Sequence, residues 1–220
     1  MADCYGRTYE FVSKFEFKPI KKEIDGIIKR LQRNMREYSI TFKPILVGSV
    51  KRSLVTRVVN GNTGFDFDYN FSIQKNSDYS AKQLKNLFIS ELNEILVNND
   101  WDTYVENNRQ AMTIKRVNRY QSRIIYSCDF AIVHDYKVGY DDFQERLIYD
   151  KETNNYFWNE RGYGKNYRDK ISNILENGLW TEVKDEYLYL KNWNNDPDKI
   201  SFSLYLEAVN NVYNRYDWVD

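Results

Sequence analysis

The chain has 220 residues, 42% of them hydrophobic and 29% charged, which suits one sizeable core or two small lobes and excludes a disordered chain. Lys plus Arg number 32 and Asp plus Glu number 32, so there is no formal net charge and bulk electrostatics argue against a nucleic-acid-coating protein. One His and two Cys exclude a disulfide framework and a Cys/His zinc site.

Met1-Ala2-Asp3-Cys4 opens without a basic stretch ahead of an apolar one, so no secretory leader is expected. No run approaches a membrane span. Cys4 and Cys128 lie far apart and read as the reduced thiols of a cytoplasmic protein. Carboxylates, hydroxyls, amides and cations are left to carry the chemistry.

From Pro19 to Tyr38, the residues Ile20, Ile24, Ile27, Ile28, Leu31 and Met35 recur at helical spacing, with Pro19 suited to a first turn. Thr41 to Val47 reads as a short strand running into Gly48-Ser49. Residues 51–59 fit helix or strand, and Asn60-Gly61-Asn62-Thr63-Gly64 is a loop. The clearest strand follows: Phe65, Phe67, Tyr69, Phe71 and Ile73 alternate with Asp66, Asp68, Asn70 and Ser72, an aromatic face backed by a polar one.

Ser80 to Val97 carries a helical stripe with a Ser start. Arg109–Val117 and Arg123–Val133 read as strands joined by the turn Asn118-Arg119-Tyr120-Gln121. Glu145–Tyr149 and Tyr156–Asn159 suggest a further hairpin, and Asn166–Glu176, Thr181–Asn192 and Ser201–Tyr216 read as helices. This order predicts an α+β protein: a mixed sheet with helices on one side over residues 1–160, then a small helical lobe over 161–220.

Asp66 and Asp68 are two apart on a strand, so both side chains leave one face. Adjacent carboxylates repel unless one is protonated or a cation binds, and hard cations such as magnesium take oxygen ligands. An isolated Asp-x-Asp is also an ordinary solvated strand face. Asp129 sits within the apolar run Ile124–Val133, where a carboxylate is costly unless a metal or an arginine pairs with it. Three converging carboxylates suit two divalent cations and in-line phosphoryl or nucleotidyl displacement. Gly48-Ser49, ahead of Lys51-Arg52, offers close backbone approach and a hydroxyl donor for a phosphate, though Gly-Ser is equally an ordinary turn.

Gly48-Ser49, then Asp66-Phe67-Asp68 in a strand, then Asp129 in a later apolar strand, resembles the DNA polymerase β-like nucleotidyltransferase superfamily over roughly residues 19–135. The resemblance implies a nucleotidyltransferase core and Mg2+ or Mn2+ as cofactor. It implies transfer of a nucleoside monophosphate from an NTP donor to a hydroxyl acceptor, with release of pyrophosphate. Asp66, Asp68 and Asp129 would be the catalytic and metal-binding residues, and Gly48 and Ser49 would hold the triphosphate. The spacing from Ser49 to Asp66 exceeds that of compact members, and the 60–64 loop absorbs it.

The tail is similar to the helical lobe of the cGAS-like and oligoadenylate-synthase-like members. There Lys191 and Ser203 would contact the triphosphate and Tyr205 would stack on the base, although with 19 Tyr in the chain these are equally plain amphipathic helices. The acceptor stays open among a nucleotide, an RNA end, a protein side chain and a small hydroxylated molecule. A catalytically inactive nucleotide- or RNA-binding module on the same fold is the alternative. A protein-interaction domain with an aromatic surface is a third reading. His134 reads as a loop histidine, and Trp158, Trp180, Trp193 and Trp218 read as core.

Overall fold

The computed structural model describes residues 7–75, 78–139, 141–161 and 165–218. Cys4 and the N-terminal tetrapeptide lie outside the described residues. The chain divides into two compact units: Val12–Val55 with Asn62–Tyr163, and Met1–Phe11 with Thr56–Gly61 and Gly164–Asp220.

In the first unit, helix α1 spans Lys14–Glu37 and begins before Pro19, because Ser13 caps it. The Glu16 N–H donates to Ser13 Oγ at 3.2 Å, and the Ser13 N–H donates to Glu16 Oε1 at 3.2 Å. Such a reciprocal box satisfies two otherwise orphaned donors. Pro19 therefore sits in the second turn, where its missing N–H forfeits a bond to the Phe15 carbonyl.

Strand β2 (Phe42–Val47) turns directly into the five-residue helix α2 (Gly48–Arg52), which resolves the helix-or-strand ambiguity of 51–59 in favour of both in succession. The extended part, β3 (Thr56–Val58), belongs to the second unit. Strand β4 (Phe65–Ile73) and helix α3 (Ala81–Val97) follow, the latter capped by Ser80 and Gln83 in a second reciprocal box. Next come β5 (Glu106–Asn107), β6 (Met112–Asn118), β7 (Arg123–Val138), β8 (Asp141–Asp150) and β9 (Asn155–Arg161).

Among the described residues these strands form a seven-stranded sheet, ordered β2-β4-β7-β6-β5, with β8 on the far half of β7 and β9 beyond it. β4 and β7 run parallel and the other pairs are antiparallel. Strand β7 is 16 residues long, well past the expected end at Val133, because its second half gains β8 as a new partner. His134 consequently lies on a strand and not in a loop, with Nδ1 3.1 Å from the Ile73 carbonyl oxygen and its ring stacked on Tyr136.

One face of the sheet is the core. Phe67, Phe71, Cys128 and Phe130 are fully buried there, and α1 and α3 cover them through Phe17 and Phe88. Burying each such aromatic contributes about 2–3 kcal/mol of transfer free energy. Tyr69 and Tyr126 end in hydroxyls that donate to Asp25 and Glu23 of α1, both at 2.9 Å, and burial holds both phenols well above their ordinary range. The face toward the helices is thus apolar at its centre and edged by part-buried hydrogen bonds. Every alternate residue of β4 is left for the opposite face.

The second unit joins helices α4 (Lys165–Glu176), α5 (Trp180–Trp193) and α6 (Ser201–Tyr213) to the small ribbon of β1 (Tyr9–Phe11) and β3. Val183, Ala208, Val209 and Val212 form its interior. The Asn192 amide serves β1 as a substitute strand, accepting the Tyr9 N–H at 2.6 Å and donating to the Tyr9 carbonyl at 3.3 Å. Trp193 is 52% exposed, contrary to its expected place in a core. Among the described residues no helix is long and apolar enough to cross a membrane.

Candidate active site

The polar face of β4 and β7 gathers the carboxylates. The parallel register sets Asp68 opposite Asp129 and Asp66 opposite Ser127. Phe67 and Phe130 point to the core, so alternation sends Asp66, Asp68 and Asp129 to the opposite face. Asp66 is exposed, while Asp68 and Asp129 are half-buried.

Hydroxyls on neighbouring strands hold the two outer carboxylates. Ser127 Oγ donates to Asp66 Oδ1, and Thr113 Oγ1 of β6 donates to Asp129 Oδ1 at 2.5 Å. Among the described residues no group of three His, Cys, Asp or Glu side chains closes into a metal cage in this arrangement. The donor set itself is anionic and all oxygen, which is the chemistry of a hard divalent cation. Asp66, Asp68 and Asp129 are the residues that would hold one.

Electrostatics give this set a reason to bind a cation. Burial first, then the charges of Asp129 and Asp66, push the Asp68 carboxyl up to about 6 against the pull of Arg52 and Arg146. Burial also raises Asp129, opposed by the Thr113 hydrogen bond and assisted by the Asp66 charge. Two carboxylates in register behave as one coupled pair that resists losing its last proton.

Gly48 lies beside this pair. Val47 is the β2 register partner of Asp68, so the chain leaves the sheet at the carboxylate itself. Gly48 has φ +67°, and a Cβ on it would overlap the Asp68 carboxylate. Only glycine combines that backbone conformation with that clearance. Ser49 follows in α2, its carbonyl accepting the Leu54 N–H at 2.9 Å. The structure therefore brings Gly48, Asp66, Asp68 and Asp129 to one place, with Ser49 adjoining.

Lys191, Ser203 and Tyr205 lie in the other unit. Lys191 Nζ donates to Thr56 Oγ1 at 2.7 Å and sits 4.5 Å from the Tyr9 ring centre. Tyr205 is 5% exposed, which leaves little of its ring for a base to cover. Ser203 is exposed near the start of α6.

Sequence reasoning missed Thr113, Ser127 and Arg146. All three owe their place to strand register: Ser127 to β4 beside β7, Arg146 to β8 beside β7, and Thr113 to β6, whose register with β7 shifts at Arg116/Val117. The alternation of Ser127 and Asp129 with buried Tyr126, Cys128 and Phe130 was the available signal for Ser127.

No family model matches the chain, and no curated protein sequence matches it. Solved structures do match in fold. The chain is similar to Escherichia coli DncV in its 3′-deoxy GTP bound form, with a TM-score of 0.65 and 12% identity, over 95% of this chain and 70% of that one. It is also similar to Vibrio cholerae DncV cyclic AMP-GMP synthase bound to nonhydrolyzable GTP, with a TM-score of 0.58 and 13% identity, over 82% of this chain. A third match is the Vibrio enzyme with the linear intermediate 5′ pppA(3′,5′)pG, at a TM-score of 0.58 and 14% identity. The chain spans 47% of the length of those Vibrio structures. The expected α+β architecture, a mixed sheet with helices on one face, is therefore the observed one, and these DncV structures share the fold.

Proposed function

We propose that the protein is an NTP-dependent nucleotidyltransferase, moving a nucleoside monophosphate to a hydroxyl acceptor with release of pyrophosphate. The observation that carries this reading is the Asp68–Asp129 register pair, with Asp66 beside it, on the open face of a sheet of this fold. The folds it resembles were solved with GTP, a GTP analogue and a linear dinucleotide bound, which supports a nucleoside triphosphate as donor.

Asp66, Asp68 and Asp129 would hold Mg2+ or Mn2+, which when bound neutralises the triphosphate charge and acidifies the attacking hydroxyl. Gly48 lets the backbone approach a phosphate closely, and Ser49 adds a hydroxyl donor beside it. Asp129, with Oδ1 accepting from Thr113, would help to activate the acceptor hydroxyl, and burial raises its carboxyl above the ordinary carboxylate range. Lys191 and Ser203 are further candidates for triphosphate contacts. Tyr205 is a weaker one for base stacking, given its burial.

The test is pyrophosphate release from each of the four NTPs with Mg2+ or Mn2+, for wild type and Asp68→Ala. Release by wild type alone is the expected result. Tight, metal-independent NTP binding with no pyrophosphate from wild type would replace the enzyme with a binding module.

A further inference from the structure

Asp129 is held from behind by a directed chain of hydrogen bonds. Thr113 Oγ1 donates to Asp129 Oδ1 and accepts from Asn108 Nδ2 at 2.9 Å. A hydroxyl has a single proton, so accepting from Asn108 leaves that proton committed to the carboxylate. Lys151 Nζ lies 3.5 Å from Asn108 Oδ1, which keeps the carbonyl end of the amide outward and its NH2 end toward Thr113.

The backbone of Asn108 is pinned as well. Its N–H donates to the Ala111 carbonyl at 3.0 Å, closing the turn between β5 and β6. Its carbonyl accepts from Lys85 Nζ at 2.6 Å. Lys85 belongs to α3 and is 2% exposed. A lysine is almost never buried so completely without an anionic partner. Here the hydrogen-bond partner is a neutral carbonyl, with the Tyr149 ring 5.6 Å away. Such a costly group needs a purpose beyond packing, and what it fixes is the residue that orients Thr113.

We infer that Lys85, Asn108 and Thr113 are positioning residues that lock the Asp129 carboxylate with Oδ1 occupied and Oδ2 turned to the reacting groups. This inference rests on the nucleotidyl-transfer reading and deepens it. Each link points its donor toward Asp129, so loss of any one lets the carboxylate rotate. Thr113 and Asn108 touch no reacting atom in this scheme. They act through Asp129, as outer-shell partners do around catalytic carboxylates.

Two readouts test it together. The first is steady-state pyrophosphate release by Thr113→Val, which keeps the shape and removes the hydroxyl, and by Thr113→Ser, which restores it. Thr113→Val should lower kcat by about 10–100-fold with KM for the NTP within about twofold, and Thr113→Ser should recover most of the loss. The second is the crystal structure of metal-free wild type, Thr113→Val and Asn108→Ala, in which the Asp129 carboxylate should turn from its wild-type orientation in both variants. Wild-type kcat in Thr113→Val, or an unmoved Asp129 in both variant structures, overturns the inference. A wild type that turns over no NTP, with Asp129 displaced in the variants, supports the positioning chain and sinks the enzyme reading instead.

Discussion

Asp68 and Asp129 are register partners across the parallel ladder of β4 and β7, so two carboxylates 61 positions apart in the chain meet side by side. Half-buried and with Asp66 nearby, they are an electrostatic load on the folded state. That load is tolerated where a cation or a proton is to be bound.

The load makes stability depend on pH with a definite sign. The Asp68 carboxyl stands at about 6 in the folded chain against an ordinary 3.8. Between those values the folded state keeps a proton that the unfolded chain has released, so stability falls as pH rises through the window. A two-unit displacement corresponds to about 3 kcal/mol at most. Asp68→Asn carries no such charge. Its urea midpoint should match wild type near pH 4 and exceed it above pH 6, with activity abolished. A difference that stays constant from pH 4 to 7 would rule this origin out.

A divalent cation should relieve the same repulsion. Mg2+ or Mn2+ at about 100 times its dissociation constant should stabilise the folded chain by about 2.7 kcal/mol at pH 7. The gain should shrink below pH 6, where protons compete for Asp68, and vanish in Asp68→Ala and Asp129→Ala. Differential scanning calorimetry with and without the cation measures each. An equal gain in those variants would place the cation elsewhere.

Gly48 offers a sharp steric test. Gly48→Ala must fit a Cβ against Asp68 at φ +67°, and should cost about 1–3 kcal/mol together with most of the activity. Gly26, inside α1, has nothing within 4 Å of its would-be Cβ. Gly26→Ala should instead stabilise the chain by about 0.5–1 kcal/mol and leave activity intact. Melting and turnover of the two variants side by side separate the site from general glycine effects.

Lys191 is engaged within its own unit by Thr56 and the rings of Tyr9 and Tyr187. Lys191→Ala should therefore lower stability by about 1–2 kcal/mol through the lost hydrogen bond and cation–π contact. A raised KM for the NTP with an unchanged melting temperature would assign the ammonium to triphosphate binding instead.

Much of the site was legible because its elements are periodic. The alternation of Phe65 through Ile73 gave both the strand and the face of Asp66 and Asp68. The start of α1 was also written in the sequence, as Ser13 and Glu16 three apart, but Pro19 drew attention to a later first turn. The three-residue β1 carries no pattern of its own. It forms because Thr56–Val58, 45 or more positions away, provides the ladder. The face of Ser127 was readable from alternation, but its partner Asp66 and the pairing of Thr113 with Asp129 were not: those depend on which residue faces which across strands, and short-range spacing is blind to that.

The parallel ladder between β4 and β7 has a kinetic corollary. Parallel neighbours need a long crossover, and here the chain runs through α3, β5 and β6 before β7 returns beside β4. Closing so large a loop makes this pairing a late, high-contact-order event. Asp68 and Asp129 are therefore strangers in the early collapsed chain, and their repulsion switches on only when β7 pairs with β4. A divalent cation present during refolding would then act on that pairing step, hastening closure of the sheet without altering the collapse that precedes it.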